Sequence, residues 1–336
     1  RGMEIGRGLF EALGQGIPLP RGAIMFRGNL ATVQDDGLLV DRRAGRIREG
    51  VASLLSELKQ ITLSNGITGH IYPGHEHRVI VMLQGPGLSA SVSSTDPGGT
   101  ARIQRVRKAK ATDDSTEASM TARALSELLS IAHRHLVSHA LNVSRKSRGL
   151  YQANCIITRG AASVDELPKL EPMDEKVAII SACSTALGVA RALGYTPSTS
   201  AAMTGNLDTD VGAKFTQASK LLRTFDMVAI HFKGTDVAAH DRRPLEKRDY
   251  IQRVDESLGR FLQDHEGIRV ILAADHGTSS RTGNHIGDPV PLLISTWEGD
   301  LSESGESVDF DEESASGGVL GLLEADELFA LITQRS

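Results

Sequence analysis

Cysteine is nearly absent, with Cys155 and Cys183 the two present in 336 residues. Two thiols in apolar, strand-like runs cannot staple a small scaffold. Two buried thiols in a reducing compartment are the expectation, with a disulfide as the alternative, which points to the cytoplasm. Long apolar runs are missing as well. No stretch reaches the ~20 residues needed to cross a bilayer, and no secretory leader is read at the start, so no membrane partner is expected. Nor is there an excess of positive charge. The chain has 37 Lys and Arg against 42 Asp and Glu, a net charge of −5, which argues against nucleic acid as a ligand. Assembly into a homo-oligomer stays open.

What remains is an ordinary globular composition, 40% hydrophobic and 24% charged, in a chain long enough for two lobes. Residues 47–59 place Ile47, Val51, Leu54, Leu55 and Leu58 at helical spacing. His77 to Leu83 reads as a strand. A polar stretch from Ser89 to Ser115 holds Gly98-Gly99 and the basic residues Arg102, Arg105, Arg107, Lys108 and Lys110, read as a solvated face. Thr116 is the candidate cap of a helix reaching about His139. Its His133, His135 and His139 read as solvated or core-edge histidines, and His265 as inert in a polar turn.

After Asn142 strand-like and helical segments alternate. Strands are expected at Ala153–Thr158, Val177–Cys183, Met227–Phe232, Arg269–Ala274 and Pro291–Ser295. Helices are expected through Leu187–Leu193, Val211–Leu222 and Ile251–Leu262. This alternation predicts an α/β protein whose parallel sheet is covered by helices on both faces. Asp300 to Gly318 is rich in Ser, Gly and acid and reads as a solvated loop, before a closing helix with Leu320, Leu323, Leu328 and Leu331.

Two of these strands run into groups of metal-ligand type. Lys233-Gly234-Thr235-Asp236-Val237-Ala238-Ala239-His240 follows one, and Asp275-His276-Gly277 ends the next, with His285 nine residues on before Pro289 and Pro291. Asp236 and His240, four apart, share one side of a first helical turn. Adjacent Asp275 and His276 can serve neighbouring positions only if the backbone bends there. A lone Asp after a strand is usually a helix cap, but five such groups at strand ends favour a site for divalent cations. Mixed His and carboxylate donors suit Mn2+ or Zn2+, with Mg2+ or Co2+ as further options. Two such ions ~3.5–4 Å apart clamp a phosphoryl group, so a small phosphorylated substrate is expected.

At this point the chain resembles the cofactor-independent phosphoglycerate mutases of the archaeal type, in the alkaline phosphatase superfamily. The matching segments include Gly6-Arg7-Gly8-Leu9-Phe10-Glu11-Ala12-Leu13-Gly14, Phe26-Arg27-Gly28-Asn29-Leu30-Ala31-Thr32-Val33 and Val40-Asp41-Arg42-Arg43-Ala44-Gly45-Arg46. They continue through His77-Arg78-Val79, Thr95-Asp96-Pro97, Arg159-Gly160-Ala161 and Thr204-Gly205-Asn206-Leu207-Asp208-Thr209-Asp210 to the metal segments.

The resemblance implies an alkaline-phosphatase-like parallel sheet sandwiched by helices, with an inserted smaller α+β cap domain. The metal-binding core would span 1–30 and 135–336, and the substrate-gripping cap 31–134. It implies interconversion of 3-phosphoglycerate and 2-phosphoglycerate through a phosphoserine, within glycolysis and gluconeogenesis. Asp236, His240 and His285 would hold one metal, and Asp275 and His276 would help hold a second. Arg27, Arg42, Arg43, Arg46 and Arg78 would grip carboxylate and phosphate, where a guanidinium fork suits both. Solvated surface arginines are the alternative. Asn29 and Asp96 would bind glycerate hydroxyls or else order turns.

Two departures from the family pattern bear on activity. A metal-binding Asp and the nucleophilic Ser are expected upstream of Gly6-Arg7-Gly8, and the N-terminal segment carrying them is missing from a chain that starts at Arg1. No catalytic nucleophile is therefore assigned, and this polypeptide alone is expected to show little or no mutase activity. Leu187 stands where relatives carry a basic residue before the Gly. The competing expectations are a metal-dependent phosphomonoesterase of the same superfamily and a non-catalytic relative that binds metal and phosphate.

Overall fold

The computed structural model describes residues 6–98, 104–167, 174–299 and 309–333. It divides into two compact units, one formed by residues 1–179 with 183–198 and the other by 180–182 with 199–336.

The first unit holds α1 (Arg7–Gly14), β1 (Ile24–Val33), β2 (Leu39–Asp41), α2 (Val51–Leu54), β3 (Ile61–Thr62), β4 (Thr68–Pro73) and β5 (Arg78–Gln84). It continues with α3 (Thr116–Ser138), α4 (Ala140–Ser147), β6 (Cys155–Ser163), β7 (Val177–Ile180, its last residue counted with the second unit), α5 (Ser184–Ala192) and β8 (Thr196–Ser198). Its main sheet has six strands, in the order β2-β1-β5-β4-β3 with β6 also on β1. β1 is covered on both faces, so it reads Ile24-Met25-Phe26 without polar alternation before Arg27. Ile24, Phe26 and Leu30 enter a large core roofed by Leu125, Leu128, Ala132 and Leu136 of α3. On the opposite face Met25, Ile80 and Met82 pack on Leu9 and Ala12 of α1.

α1 and α5 approach through glycines. A Cβ on Gly188 would lie 1.8 Å from Phe10 O, and one on Gly14 would lie 1.8 Å from Ser184 O. Side chains at those positions would force the helices apart. Leu187 beside this crossing is buried at 6% exposure.

The second unit contains α6 (Val211–Leu221), β9 (Met227–Ile230), α7 (Gly234–His240), α8 (Pro244–Gln263) and β10 (Ile268–Ala273). Then come β11 (Gly277–Thr278), β12 (His285–Ile286), β13 (Leu292–Trp297), α9 (Glu312–Ser316) and α10 (Ala325–Thr333). Its core joins Ile180, Met203 and Ala218 to Val228, Ile230 and Phe261.

The fold is thus mixed α/β, and several expectations need correction. β6 was expected in a parallel sheet but pairs antiparallel with β1, and β10 pairs antiparallel with β13. The physical reason is the connection: between β10 and β13 the chain makes only the β11–β12 hairpin. A parallel return needs a crossover of a dozen residues or more, usually a helix.

Of the expected domain limits, position 30 lies within β1 and position 134 within α3. The helix expected over 47–59 is only the single turn α2 and a 3-10 turn at Ser56–Leu58, because Arg46 (φ 56°) and Gly50 (φ 74°) are left-handed. Its five apolar residues are buried all the same. Ser115, not Thr116, caps α3, accepting the Ala118 N–H.

Leu320 and Leu323 precede α10 rather than belonging to it, and α9 lies within the stretch expected to be a loop. Gly99, Arg102 and residues 300–308 lie outside the described residues. Arg105 of the basic run pairs with Asp36 at 2.8 Å. Both cysteines are half-buried free thiols rather than fully buried.

Candidate metal centre and arginine cluster

β9 delivers the chain to α7, whose first turn carries Asp236 and whose last carries His240. Their four-residue spacing sets His240 Nε2 3.3 Å from Asp236 Oδ1. The β11–β12 hairpin pairs Thr278 with His285. It brings His285 Nε2 to 3.4 Å from the same carboxylate oxygen and to 3.1 Å from His240 Nε2. Two close approaches hold this geometry. A Cβ on Gly234 would fall 2.4 Å from the Tyr250 ring, so α7 packs there only with glycine. Gly283 takes φ +75° and presents its carbonyl 2.6 Å from His240 Nδ1. A carbonyl only accepts, so Nδ1 carries the proton and the Nε2 lone pair of the neutral ring points at the cluster.

Three donors with edges of 3.1, 3.3 and 3.4 Å suit a divalent ion. Tetrahedral zinc with Zn–N bonds of about 2.0–2.1 Å has edges of roughly 3.3–3.4 Å.

Asp236 is supported at both oxygens. Lys233 Nζ donates to Oδ2 at 2.8 Å and Thr278 Oγ1 to Oδ1 at 3.0 Å. Partial burial disfavours the Asp236 carboxylate, but Lys233 and Thr278 outweigh it and hold the pKa below the ordinary value. Asp275 and His276 lie in the bend between β10 and β11. His276 stacks on His285 with ring centroids 3.7 Å apart, and its Nε2 is 3.4 Å from Asp275 Oδ2. Asp275 itself is 82% exposed and stands beside the three-donor cluster rather than in it. The fold therefore gathers all five residues, three of them tightly.

Behind this group Ser181 Oγ lies 2.9 Å from His231 Nδ1, and the buried Lys214 donates to His231 O at 2.6 Å. Burial, then the charges of Lys214 and Lys233, lower the His231 pKa. Reading the sequence missed Lys233, Thr278, Lys214, Ser181 and His231 as parts of this environment. Two of them had a signal: Lys233 stands one turn before Asp236, and Thr278 two residues after His276, on the same side of an extended segment.

In the first unit, register assembles a second polar group. Asn29 of β1 faces Arg78 of β5, and Arg27 faces Arg159 of β6. Arg27 Nε lies 3.0 Å from Glu11 of α1, and Arg78 lies 3.8 Å from it. Burial lowers the Arg27 pKa to about 10, with the Glu11 charge opposing it and the charges of Arg78, Arg159 and Arg7 adding to it. Arg42 bonds Asp96 at 2.5 Å, Arg159 stands 4.0 Å from Asp96, and Asn29 donates to Arg42 O at 3.3 Å.

His77 is buried, and its pKa is lowered to about 4 by burial and by the charges of Arg78, Arg43 and Arg46. All seven residues expected to bind substrate thus lie in one neighbourhood. Glu11, His77 and Arg159 join them without having been singled out. Positive charge exceeds negative there, as an anionic ligand requires. Elsewhere His133 Nδ1 meets Asn154 O at 2.6 Å, His135 pairs with Glu57 at 3.3 Å and His139 caps α4. His265 stacks on Phe261.

A mixed α/β unit presenting His and Asp donors around one point defines a metalloenzyme, and residues 165–334 match the model of the Metalloenzyme superfamily. Residues 1–142 match the model of 2,3-bisphosphoglycerate-independent phosphoglycerate mutase. A mutase of that name from Sulfolobus acidocaldarius is 38% identical over 97% of this chain and 79% of its own length. Another, from Metallosphaera sedula, is 39% identical over 94% of this chain and 76% of its own. A solved structure of a Pyrococcus horikoshii protein superposes with TM-score 0.72 at 28% identity, covering 94% of this chain and 74% of that one. The cofactor-independent phosphoglycerate mutase of Thermoplasma acidophilum gives TM-score 0.56 at 25% identity, over 96% and 78%. The chain belongs to the 2,3-bisphosphoglycerate-independent phosphoglycerate mutase family.

Proposed function

We propose that this protein interconverts 3-phosphoglycerate and 2-phosphoglycerate. The observation that carries the reading is the convergence of Asp236 Oδ1, His240 Nε2 and His285 Nε2 within 3.4 Å of one another, in a chain of this family. These three would hold one divalent ion, and Asp275 with His276 would help hold a second, with Mn2+ or Zn2+ best suited to the donor set. Bound ions supply electrostatic stabilisation of the phosphoryl oxygens and a lower pKa for an attacking hydroxyl.

The chain's own residues do the rest. Lys233 and Thr278 hold Asp236 ionised and oriented. Arg27, Arg42, Arg43, Arg46 and Arg78 grip the carboxylate and phosphate of the substrate, and Asn29 and Asp96 take its hydroxyls. In the net reaction the P–O bond to the C3 oxygen breaks, one to the C2 oxygen forms, and the proton lost from the C2 hydroxyl ends on the C3 oxygen, without consuming water. No serine among the described residues is assigned as the phosphoryl acceptor. A metal-holding core and a substrate-gripping cap, a cytoplasmic location and a place in glycolysis and gluconeogenesis belong to the same reading.

Phosphorus NMR of the native protein loaded with Mn2+ or Zn2+ and given 3-phosphoglycerate tests it, with a metal-free sample as the control. The expected product is 2-phosphoglycerate. Free phosphate instead would make the protein a phosphomonoesterase. Metal uptake with neither product would make it a binding protein.

A further inference from the structure

Thr278 is 7% exposed and lies between the two groups of ligands. Its Oγ1 is 3.0 Å from Asp236 Oδ1 and 3.2 Å from His276 Nδ1. A hydroxyl has one proton to give, so the two contacts must differ in direction. His276 Nδ1 also faces the carbonyl of Gly277 at 3.3 Å. Neither that carbonyl nor an ionised Asp236 can donate. The consistent arrangement has a proton on His276 Nδ1, shared by Gly277 O and Thr278 Oγ1, while the threonine proton goes to Asp236.

Two consequences follow. The neutral His276 ring keeps its lone pair on Nε2, 3.4 Å from Asp275 Oδ2. A lone pair and a carboxylate oxygen facing each other repel unless a cation lies between them. On the other side, Asp236 Oδ1 is pinned toward His240 Nε2 and His285 Nε2. The β11–β12 register places Thr278 opposite His285, so a single short hairpin sets the threonine and a ligand together.

We infer that Thr278 is a positioning residue that couples the two ligand groups, fixing His276 as an Nε2 donor through its tautomer and Asp236 through its Oδ1. The inference rests on the metal-centre reading above and extends it to a residue that touches neither ion. Hydrogen bonds behind metal ligands are commonly worth ~10–100-fold in affinity.

The test uses the whole chain with Thr278→Val, which keeps the shape and loses the hydroxyl, and Thr278→Ser, which keeps the hydroxyl. Calorimetric titration with Mn2+ or Zn2+ is expected to show a ~10–100-fold loss for the valine variant and wild-type affinity for the serine variant. Proton–nitrogen correlation spectra of the metal-free wild type are expected to show His276 protonated at Nδ1, and the valine variant a mixture of tautomers. Wild-type affinity in Thr278→Val, or an Nε2-protonated His276 in the wild type, overturns the inference. A wild-type chain that takes up neither ion refutes the metal-centre reading. The tautomer measured without metal still decides the hydrogen-bond assignment in that case.

Discussion

Acidification tests the arginine cluster most directly through His77. Its ring is 7% exposed, and its pKa is lowered from 6.5 to about 4, first by burial and then by Arg78, Arg43 and Arg46, with Asp41 opposing. Glu76 Oε2, 3.8 Å from Nδ1, offers a protonated ring only weak help. The folded protein therefore resists taking up a proton that the unfolded chain accepts with pKa ~6.5. Between these values the unfolded state binds more protons, so stability rises with pH. Above pH ~6.5 both states are neutral and this contribution is fully present. It declines as pH falls and levels off below the folded pKa. A shift of about 2.5 units at ~1.36 kcal/mol per unit amounts to about 3 kcal/mol.

Urea unfolding of the wild type and His77→Asn, followed by circular dichroism from pH 7 to pH 4, isolates the term, because the remaining carboxylates titrate alike in both. The wild type is expected to lose about 3 kcal/mol more than the variant across that range. Parallel curves, or a His77 proton resonance titrating above pH 6, would refute the argument that burial and three arginines hold the ring neutral.

Three further outcomes are expected. Asp236→Asn removes the charge shared by the donor cluster and should cut divalent-ion affinity by more than the ~100-fold typical of a supporting contact; unchanged metal content by elemental analysis contradicts its role. Gly188→Ala places a Cβ 1.8 Å from Phe10 O and should destabilise the first unit by at least ~1–3 kcal/mol, read as a lower urea midpoint. Arg43→Ala in the native protein should raise KM while leaving kcat nearly intact; a wild-type KM removes Arg43 from substrate binding.

The strands that matter were legible because their chemistry is local. The runs at 227–230, 268–273 and 78–84 are short, apolar and β-branched, and the last two end close to Asp275 and Gly85. The helix at 116–138 showed apolar residues at i, i+3 and i+4. The direction of β6, β10 and β13 was not legible. Alternating strands and helices usually imply parallel pairing, yet β10 pairs antiparallel with β13, which arrives without a helical crossover, and β6 pairs antiparallel with β1. The helix proposed over 47–59 failed for a related reason. The apolar spacing reports which side chains are buried, whereas the left-handed backbone at Arg46 and Gly50 decides whether a helix can begin.

Sequence alone supplied the donor types, the four-residue spacing of Asp236 and His240, and the family resemblance, since these are properties of identity and local spacing. It could not supply the 3.1 Å meeting of His240 with His285, or the shared Asp96 between Arg42 and Arg159. Those depend on a hairpin register and a strand order linking residues 45 to 117 positions apart, and such contacts exist only after distant segments have been paired and packed. Thr278 shows the difference most sharply: its place two residues after His276 hints at a shared side, but only folding sets its hydroxyl between His276 and Asp236, 42 positions away.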